Sequence, residues 1–183
     1  MPVIDPDADL IARLKARDEN ALEDLMTRRL ATIHGLASRL LNDPVLAEDV
    51  SQSVMLKTWT ESPKWEPGRA KLLTWMCRVT TNLCLDMLKK KRPLYSDAVP
   101  DIADSASTQF DALQNKGRTK KIHAGMAALP PRQRAALILC YFKDLSQNEA
   151  ADVLDISVSA YESLLSRGRV GLREILQDER EIL

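Results

Sequence analysis

Histidine, glycine and aromatic residues are scarce in this sequence, and so are the alternating apolar runs that a sheet needs. The chain has two histidines, six glycines and 4% aromatic residues. Ala, Leu and charged residues dominate, which favours helices over a sandwich or a barrel. His34 and His123 lie on separate predicted helices, and no Ser/His/Asp set, phosphate-binding loop or metal-ligand spacing accompanies them. We therefore expect an all-α protein that is not an enzyme.

Cysteines and long apolar runs are too few for a disulfide framework or a membrane span. Cys77, Cys84 and Cys140 form an odd, widely spaced set, which suits a reducing cytoplasm. Cys77 and Cys84 cannot complete a tetrahedral zinc site, so we interpret them as small buried hydrophobes and expect no metal or cofactor. No stretch of roughly 18 apolar residues exists, and the first residues lack the basic and apolar regions of a secretory signal. We expect a cytoplasmic protein with no membrane partner.

The net charge of the chain is zero, but the charges are unevenly distributed. Residues 64–92 contain eight basic and two acidic residues, a local charge of +6, whereas residues 94–116 contain four acids and one lysine, a charge of −3. Such asymmetry is typical of a phosphate-facing surface, and a solvated helix end would carry the same charges. Residues 94–116 are also rich in Ser, Asp and Ala, which predicts a partly disordered linker. Two small helical domains, 1–93 and 117–183, are predicted on either side of it.

Apolar residues at three- and four-residue spacing predict the helices of both domains. The first helix should begin at Asp7 or Asp9, whose carboxylate can accept bonds from free N–H groups, and end at Arg17. The others are predicted over residues 19–41, 45–61, 71–91, 117–129, 132–141, 146–154 and 158–176. On the fourth helix, the predicted core face comprises Leu72, Met76, Val79, Leu83 and Met87, and the predicted surface comprises Arg78, Thr81, Asn82, Leu85 and Lys89.

The strongest pattern lies between Leu145 and Arg169. Ser146 and Glu149 have the spacing of a capping box, and residues 155–157 form a short turn before a second helix that Ser157 or Ser159 caps. The core face of that helix is predicted to contain Tyr161, Leu165, Gly168 and Leu172. This is the pattern of a DNA-binding helix-turn-helix, which a plain helical hairpin can also show. The outward residues, which would lie in the major groove, are Ser159, Ala160, Glu162, Ser163, Ser166, Arg167 and Arg169.

Four segments in this order resemble the extracytoplasmic-function sigma factors of the sigma-70 family. Residues 46–59 (LAEDVSQSVMLKTW) resemble the family's polymerase-binding helix, and residues 75–86 (WMCRVTTNLCLD) resemble the helix that follows it. Residues 128–134 (ALPPRQR) are similar to the entry into the second DNA-binding domain, and the helix-turn-helix closes the set. The resemblance implies a bacterial initiation factor that directs core RNA polymerase to a promoter in a stress response. It also implies that an anti-sigma factor holds this initiation factor inactive.

The resemblance also implies roles for particular residues. Residues 1–93 would be a region 2-like domain that binds polymerase and melts the −10 element, and residues 117–183 a region 4-like domain that reads the −35 element. The polymerase contacts, to the β′ clamp and the β flap, would include Glu48, Asp49, Gln52, Ser53 and Leu56. The −10 contacts would be Lys64, Trp65, Arg69, Lys71, Trp75, Arg78, Asn82 and Lys89. The −35 contacts would be Ser157, Ser159, Ala160, Glu162, Ser163, Ser166, Arg167 and Arg169.

Two features depart from the family pattern. Ser53 stands where a glutamate is usual, and Glu162 and Leu164 stand where basic residues are typical of a groove-reading helix.

The loop 63–74 matches the family's loop that captures a flipped −10 base. Trp65 and Trp75 have rings on which bases can stack. Core packing is an equal alternative for Trp75.

Two other functions fit parts of the pattern. A helix-turn-helix regulator without polymerase would bind DNA alone, normally as a dimer, and the helix that carries Asp49 and Gln52 argues against it. A sigma mimic would trap an anti-sigma factor and never touch DNA, and the intact basic run 89–92 argues against that. We expect the isolated protein to bind duplex DNA weakly.

Overall fold

The computed structural model describes residues 5–66, 70–90, 121–142 and 145–181, and the side chains of these residues up to 177. Every regular element within these ranges is a helix, which confirms the predicted all-α class. The elements are α1 (Ala8–Lys15), α2 (Glu19–Leu41), α3 (Pro44–Glu61), a 3-10 turn (Ser62–Lys64), α4 (Leu72–Lys90), α5 (121–128), α6 (Pro131–Cys140), α7 (Gln147–Val153) and α8 (Val158–Glu181). No described helix is long and apolar enough to cross a membrane. The predicted linker 94–116 and Arg69 lie outside the described residues.

Local signals fix the ends of α2 and α3. Asp18 accepts a hydrogen bond from the Asn20 N–H at the start of α2. Asn42 ends α2 in the left-handed conformation with φ 52°, and Asp43 then accepts from the Leu46 N–H to begin α3. The apolar faces of α2, α3 and α4 meet in one core, which includes Leu25, Ile33, Leu36, Leu40, Val50, Val54 and Met76.

The first helix begins at Ala8, where it was predicted to begin, but its cap and its end differ from the prediction. It stops at Lys15, and Arg17 is left-handed with φ 61°, so the prediction that α1 reaches Arg17 is wrong. Asp7 precedes the helix but its carboxylate makes no capping bond. Instead, the buried carboxylate accepts from the Arg29 guanidinium at 2.5 Å. An ion pair to a neighbouring helix therefore replaces the predicted cap, because burial of a carboxylate requires a charged partner.

The helix-turn-helix forms from α7 and α8 as predicted. Ser146 and Glu149 make both bonds of the capping box. Asp155 turns the chain with φ 56°, and the Ser157 hydroxyl accepts from the Ala160 N–H at 3.2 Å to cap α8. Tyr161 is 1% exposed and its hydroxyl donates to the Ala136 carbonyl of α6 at 3.0 Å. Burial raises the pKa of Tyr161 to about 12, so the phenol stays a donor at any ordinary pH.

The C-terminal helices pack on the N-terminal ones. α7 lies against α4, and α6 contacts both α2 and α4. A guanidinium nitrogen of Arg134, which is 6% exposed, donates to the Leu40 carbonyl at the end of α2 at 2.9 Å. Together with the contacts of α2 and α3, this packing leaves α4 buried on most sides. Thr81 and Leu85 are therefore buried, and their predicted place on the surface is wrong.

Candidate polymerase-binding and nucleic-acid interfaces

One face of α3 is exposed and polar. Ala47, Val50 and Val54 are buried on its other face, which fixes the rotation of the helix in the core. The exposed row, which we call the α3 stripe, consists of Glu48, Asp49, Gln52, Ser53 and Leu56. The structure thus brings all five predicted polymerase contacts together, one helical turn apart along the same side.

The side chains of the α3 stripe interact with one another and with their own helix. The Gln52 amide donates to Glu48 at 3.3 Å, and the Ser53 hydroxyl donates to the Asp49 carbonyl at 2.8 Å. Leu56, at the end of the row, is 64% exposed, which is high for a leucine in a packed helix. The stripe therefore offers two carboxylates and an apolar side chain that the core does not use.

Two tryptophans meet beside the connection between α3 and α4. The Trp65 and Trp75 rings are 5.7 Å apart at an angle of 86°, an edge-to-face contact. Both are half-buried, and both line a small apolar cavity with Ile11 and Leu14 of α1. The Trp75 ring packs on the core and on Trp65, as the core-packing alternative expects, and its stacking on a base stays a prediction. Nearby Lys64 is 80% exposed and pairs loosely with Glu61 at 3.8 Å.

Two residues that were predicted to bind DNA, Lys71 and Arg78, pair with carboxylates of the helix-turn-helix. The Lys71 ammonium, just before α4, lies 3.0 Å from Glu149, and the Thr74 hydroxyl donates to the same carboxylate at 3.3 Å. One turn further, the Arg78 guanidinium lies 2.8 Å from Asp155. Carboxylates of the helix-turn-helix therefore take the positions at which phosphates were expected.

The other predicted −10 residues on α4 lie beyond these pairs. Asn82 is exposed, and Lys89 is exposed with Asp86 at 3.5 Å within the same helix. They lie one and three turns further along α4 than Arg78. Lys71 and Arg78 of the predicted −10 surface are thus ion-paired with the helix-turn-helix, whereas Lys64, Asn82 and Lys89 remain exposed.

Glu149 has partners in both halves of the chain, namely Lys71 and Thr74 in the first and Ser146 in the second. Partial burial raises its pKa, but hydrogen bonds from Ser146 and the ion pair with Lys71 lower it more strongly, and the resulting pKa is about 2, compared with 4.5 for the free side chain. Between these values the unfolded chain binds more protons than the folded one. The contribution of Glu149 to stability is therefore complete above pH 4.5 and is lost as the pH falls through about 2.

The start of α8 is an exposed polar surface. Most of the predicted −35 residues are exposed, namely Ser157, Ser159, Glu162, Ser163, Ser166, Arg167 and Arg169. Ala160 is half-buried, so its predicted outward position holds only in part. Leu164 is also half-buried and packs against the core, which explains why a basic residue is missing there.

The charged groups of α8 are held in place by their neighbours. The Gln147 amide donates to Glu162 at 2.8 Å across the turn, which orients this carboxylate at the edge of the helix. Arg167 bonds back to the Ser163 carbonyl at 3.2 Å. Arg169 lies 3.7 Å from the Cys140 sulfur. Both guanidinium groups lie on the exposed side, where phosphates can reach them.

The cysteines show no shared site. Cys77 and Cys84 are buried, as predicted, and burial raises the pKa of Cys84 to about 12, so its thiol stays protonated. Cys140 is exposed at the end of α6. Within the ranges that the structure describes, no group of three or more ligand residues could hold a metal ion.

Sequence reasoning missed a group of residues near the N-terminus that holds the connection between α3 and α4. Asp5, Lys15 and Arg17 each make a hydrogen bond to residues 59–72. Their partners are backbone atoms 42 to 67 residues away, and a backbone donor or acceptor leaves no side-chain signal in the sequence. Only the tertiary structure reveals these contacts.

These features define a helical DNA-binding protein with a helix-turn-helix at one end and a polar helix face at the other. The family models for sigma-70 region 2 and sigma-70 region 4 match residues 25–93 and 119–172. The extracytoplasmic-function sigma factor SigW of Bacillus subtilis is 28% identical over 92% of this chain and 95% of its own length. The sigma factor RpoE of Cereibacter sphaeroides is 26% identical over 92% and 94%.

Two solved structures have the same fold. CnrH, in complex with the cytosolic domain of CnrY, superposes with a TM-score of 0.71 at 22% identity, over 95% of this chain and 99% of that one. The sigma factor RpoE of Bartonella quintana, in complex with the anti-sigma factor NepR, gives 0.62 at 21% identity, over 85% and 96%. The chain belongs to the sigma-70 family, as an RNA polymerase sigma factor of the extracytoplasmic-function type.

Proposed function

We propose that the α3 stripe binds core RNA polymerase, and that α4 and the start of α8 then contact the −10 and −35 elements of one promoter. The exposed stripe is the observation that carries this proposal. The core fixes the other face of α3, and the two carboxylates and Leu56 lie outside that core. A row of this kind, acidic at its N-terminal end and apolar at its C-terminal end, suits a partly basic, partly apolar surface of a partner.

The −10 contacts are proposed for α4 and for the connection that precedes it. Asn82 and Lys89 are exposed, and Lys71 and Arg78 become available when their pairs with α7 break. Trp65 and Trp75 supply aromatic edges beside them, and stacking on an aromatic ring contributes about 1–3 kcal/mol per base. Residues 1–93 would then form the polymerase-binding and −10 domain.

The −35 contacts are proposed for the first turns of α8, within a domain of residues 117–183. Ser159 and Ser163 are short, so the helix can approach the floor of a major groove, and Arg167 and Arg169 extend towards its phosphates. Glu162 is oriented by Gln147, and it can accept a hydrogen bond from a cytosine N4 amino group. Recognition here would rely on few positive charges and on close fit.

Regulation by a partner is proposed from the comparisons. The Bartonella quintana RpoE structure contains the anti-sigma factor NepR, and this chain shares its fold. We propose that an anti-sigma factor likewise holds this protein until a stress signal releases it, and that the protein acts in the cytoplasm, where core polymerase is found. In this role the protein positions polymerase and carries no catalytic residue of its own.

Run-off transcription with core polymerase on genomic fragments tests the function as a whole. The protein should give transcripts with discrete starts, whereas alone it should shift duplex DNA only weakly. Tight, promoter-specific binding by the isolated protein would favour the polymerase-independent regulator. Transcription absent from every fragment would favour the mimic that traps an anti-sigma factor.

The variant Asp49→Ala tests the α3 stripe. We expect its affinity for core polymerase to fall by about tenfold, since one charged contact at an interface is lost, with unfolding unchanged because Asp49 is exposed. Glu23→Ala is the matched control, because it removes one exposed carboxylate from the neighbouring α2. Equal pull-down of both variants by core polymerase would exclude the proposed role of Asp49.

A further inference from the structure

The N-terminal residues 5–17 hold both ends of the connection between α3 and α4. At its start, the Arg17 guanidinium donates to the Trp59 carbonyl at 2.7 Å, and the Lys15 ammonium donates to the Trp65 carbonyl at 2.9 Å. At its end, the Asp5 carboxylate accepts from the Leu72 N–H at 2.7 Å. A single short segment thus fixes the backbone where the connection leaves α3 and where it enters α4.

Further contacts tie α1 to the same place. The buried Ser62 hydroxyl, in the 3-10 turn, donates to the Leu14 carbonyl at 3.1 Å. The Arg17 guanidinium also lies over the Trp59 ring, 5.1 Å from its centre. The sequence offers no glycine at position 17, and a left-handed arginine persists only where its surroundings determine it. The contacts with Trp59 provide such surroundings.

Core packing of α1 does not account for the hydrogen bonds that Lys15 and Arg17 make. Leu10, Ile11 and Leu14 are buried and hold α1 on the core, whereas Lys15 and Arg17 are exposed. Exposed lysine and arginine side chains lose conformational entropy when they are held in one geometry, and a bond to a backbone carbonyl at the surface stabilises the fold only slightly. Their effect is therefore local, on the backbone of residues 59–66.

We propose that residues 5–17 form a positioning element for the described parts of this connection, 62–66 and 70–71, with Lys15 and Arg17 as its positioning residues. The inference rests on the proposed role of the connection in opening the −10 element. Extrusion of a base costs a few kcal/mol, and a backbone that is already ordered loses less entropy when it receives one. Lys15 and Arg17 act through the carbonyls of Trp65 and Trp59, and they need not touch DNA.

Two variants test this with little effect on folding. Lys15→Ala removes one exposed ammonium from the end of α1, and Arg17→Gly removes the guanidinium while glycine accepts the left-handed φ of 61°. The control is Arg39→Ala, which also removes one exposed cation, and whose hydrogen bond goes to the Gly35 carbonyl within its own helix. Thermal unfolding first confirms that all three chains remain folded.

Amide hydrogen exchange directly measures how firmly the backbone of residues 59–66 is held. Peptides that cover residues 59–66 should exchange faster in Lys15→Ala and Arg17→Gly than in the wild type and in Arg39→Ala. Unchanged exchange in both variants would overturn the proposal, whether or not the protein initiates transcription.

Open-complex formation by the reconstituted holoenzyme measures the effect of this positioning on the opening of the −10 element. The template is a promoter fragment recovered by run-off transcription, either as a duplex or with the −10 element pre-melted by mismatches. The variants should form about fivefold fewer open complexes on the duplex, as measured by permanganate reactivity of thymines, which corresponds to about one lost hydrogen bond. On the pre-melted template they should match the wild type, and affinity for core polymerase should not change.

The outcomes distinguish failure of the positioning role from failure of the proposed function. An equal loss on both templates would show that Lys15 and Arg17 contact phosphates directly, and would overturn the positioning role. A variant that matches Arg39→Ala on the duplex would overturn it too. A wild-type holoenzyme that gives no transcript from any fragment would instead overturn the proposed function.

Discussion

Thr80 and Thr81 are neighbours on α4, both are fully buried, and they differ in one hydrogen bond. The Thr80 hydroxyl donates to the Met76 carbonyl at 2.8 Å. The Thr81 hydroxyl has no partner among the residues that the structure describes. A buried polar group without a partner loses its hydration and gains nothing in return. Two side chains of identical chemistry therefore have opposite effects on stability.

Replacement of each threonine by valine, which has the same shape, tests this difference. Thr81→Val should raise the free energy of unfolding by about 1 kcal/mol, because it removes an unsatisfied hydroxyl. Thr80→Val should lower it by about 1 kcal/mol, because it removes a satisfied one. Urea unfolding of both variants measures the two values. A lower free energy of unfolding in Thr81→Val would show that the Thr81 hydroxyl is satisfied.

Residue-level prediction from the sequence works where the partner is local. The capping box of Ser146 and Glu149 could be predicted because its two members are three residues apart. The second partner of Glu149, Lys71, could not be predicted, because 78 positions separate the two in the chain and no pattern links them. Likewise, the burial of Thr81 depends on helices from the other half of the sequence.

Among the elements, α8 depends on its glycine at position 168 for its approach to α6. A methyl group there would lie 3.1 Å from Leu137 and 3.2 Å from the Gln133 carbonyl oxygen. That oxygen belongs to the backbone of α6 and can move only with the helix. Gly35, in the middle of α2, is different, because a methyl group would meet only the far end of the Arg39 side chain, at 3.0 Å.

Alanine at each position separates helix propensity from packing. Gly35→Ala should stabilise the protein by about 0.5–1 kcal/mol, since alanine favours a helix interior. Gly168→Ala should destabilise it by about 1 kcal/mol, since overpacking at the α6 contact exceeds the same gain. Thermal unfolding of the two variants checks both signs. A stabilised Gly168→Ala protein would show that α8 can shift away from α6 at little cost.

The predicted helices agree with the structure where a residue marks the boundary. Asn42, Asp43 and Pro44 separate α2 from α3, and all three are typical of a helix end or a helix start. The end of α1 has no such mark, because Arg17 is left-handed without being Gly or Asn. The C-terminal end of α8 has none either, and the helix continues five residues beyond the predicted Leu176.

At the scale of the whole molecule, two ion pairs join the N-terminal part of α4 and the residue before it to α7 and the turn that follows α7. Lys71 pairs with Glu149, and Arg78 pairs with Asp155. The Arg78–Asp155 pair is exposed on both sides, so salt should weaken it readily. The packing of the two halves is thus held partly by contacts that a polyanion can replace.

The double variant Glu149→Gln/Asp155→Asn should weaken this packing. Glutamine can still complete the capping box, and asparagine tolerates the left-handed φ of Asp155, so α7 and the turn should remain. We expect the radius of gyration in solution to rise, and the affinity for a fluorescent single-stranded DNA to rise by about threefold to tenfold at low salt.

Asp152→Asn/Glu174→Gln is the matched control, because it removes two exposed carboxylates from the same half of the chain. The control corrects for the change in net charge. If both double variants bind the single strand equally well and keep the same radius, the two ion pairs do not restrain the halves.

The sequence already contains the charges of this contact, but not their pairing. The local charge of +6 over residues 64–92 predicted an anionic partner, and DNA was the expected one. Part of that partner is the helix-turn-helix of the same chain. Which anion lies against a basic surface depends on tertiary geometry, and a list of charges along the chain cannot specify it.

For a stripe that binds polymerase as proposed, its exposure would also set the order of events in time. Its five side chains face solvent while Lys71 and Arg78 are still occupied, so an encounter with polymerase does not have to wait for the two halves to separate. Association with polymerase should then be a simple bimolecular step, limited by diffusion and orientation. The slower, unimolecular separation would follow on the polymerase surface, where promoter DNA can compete for the newly freed cations.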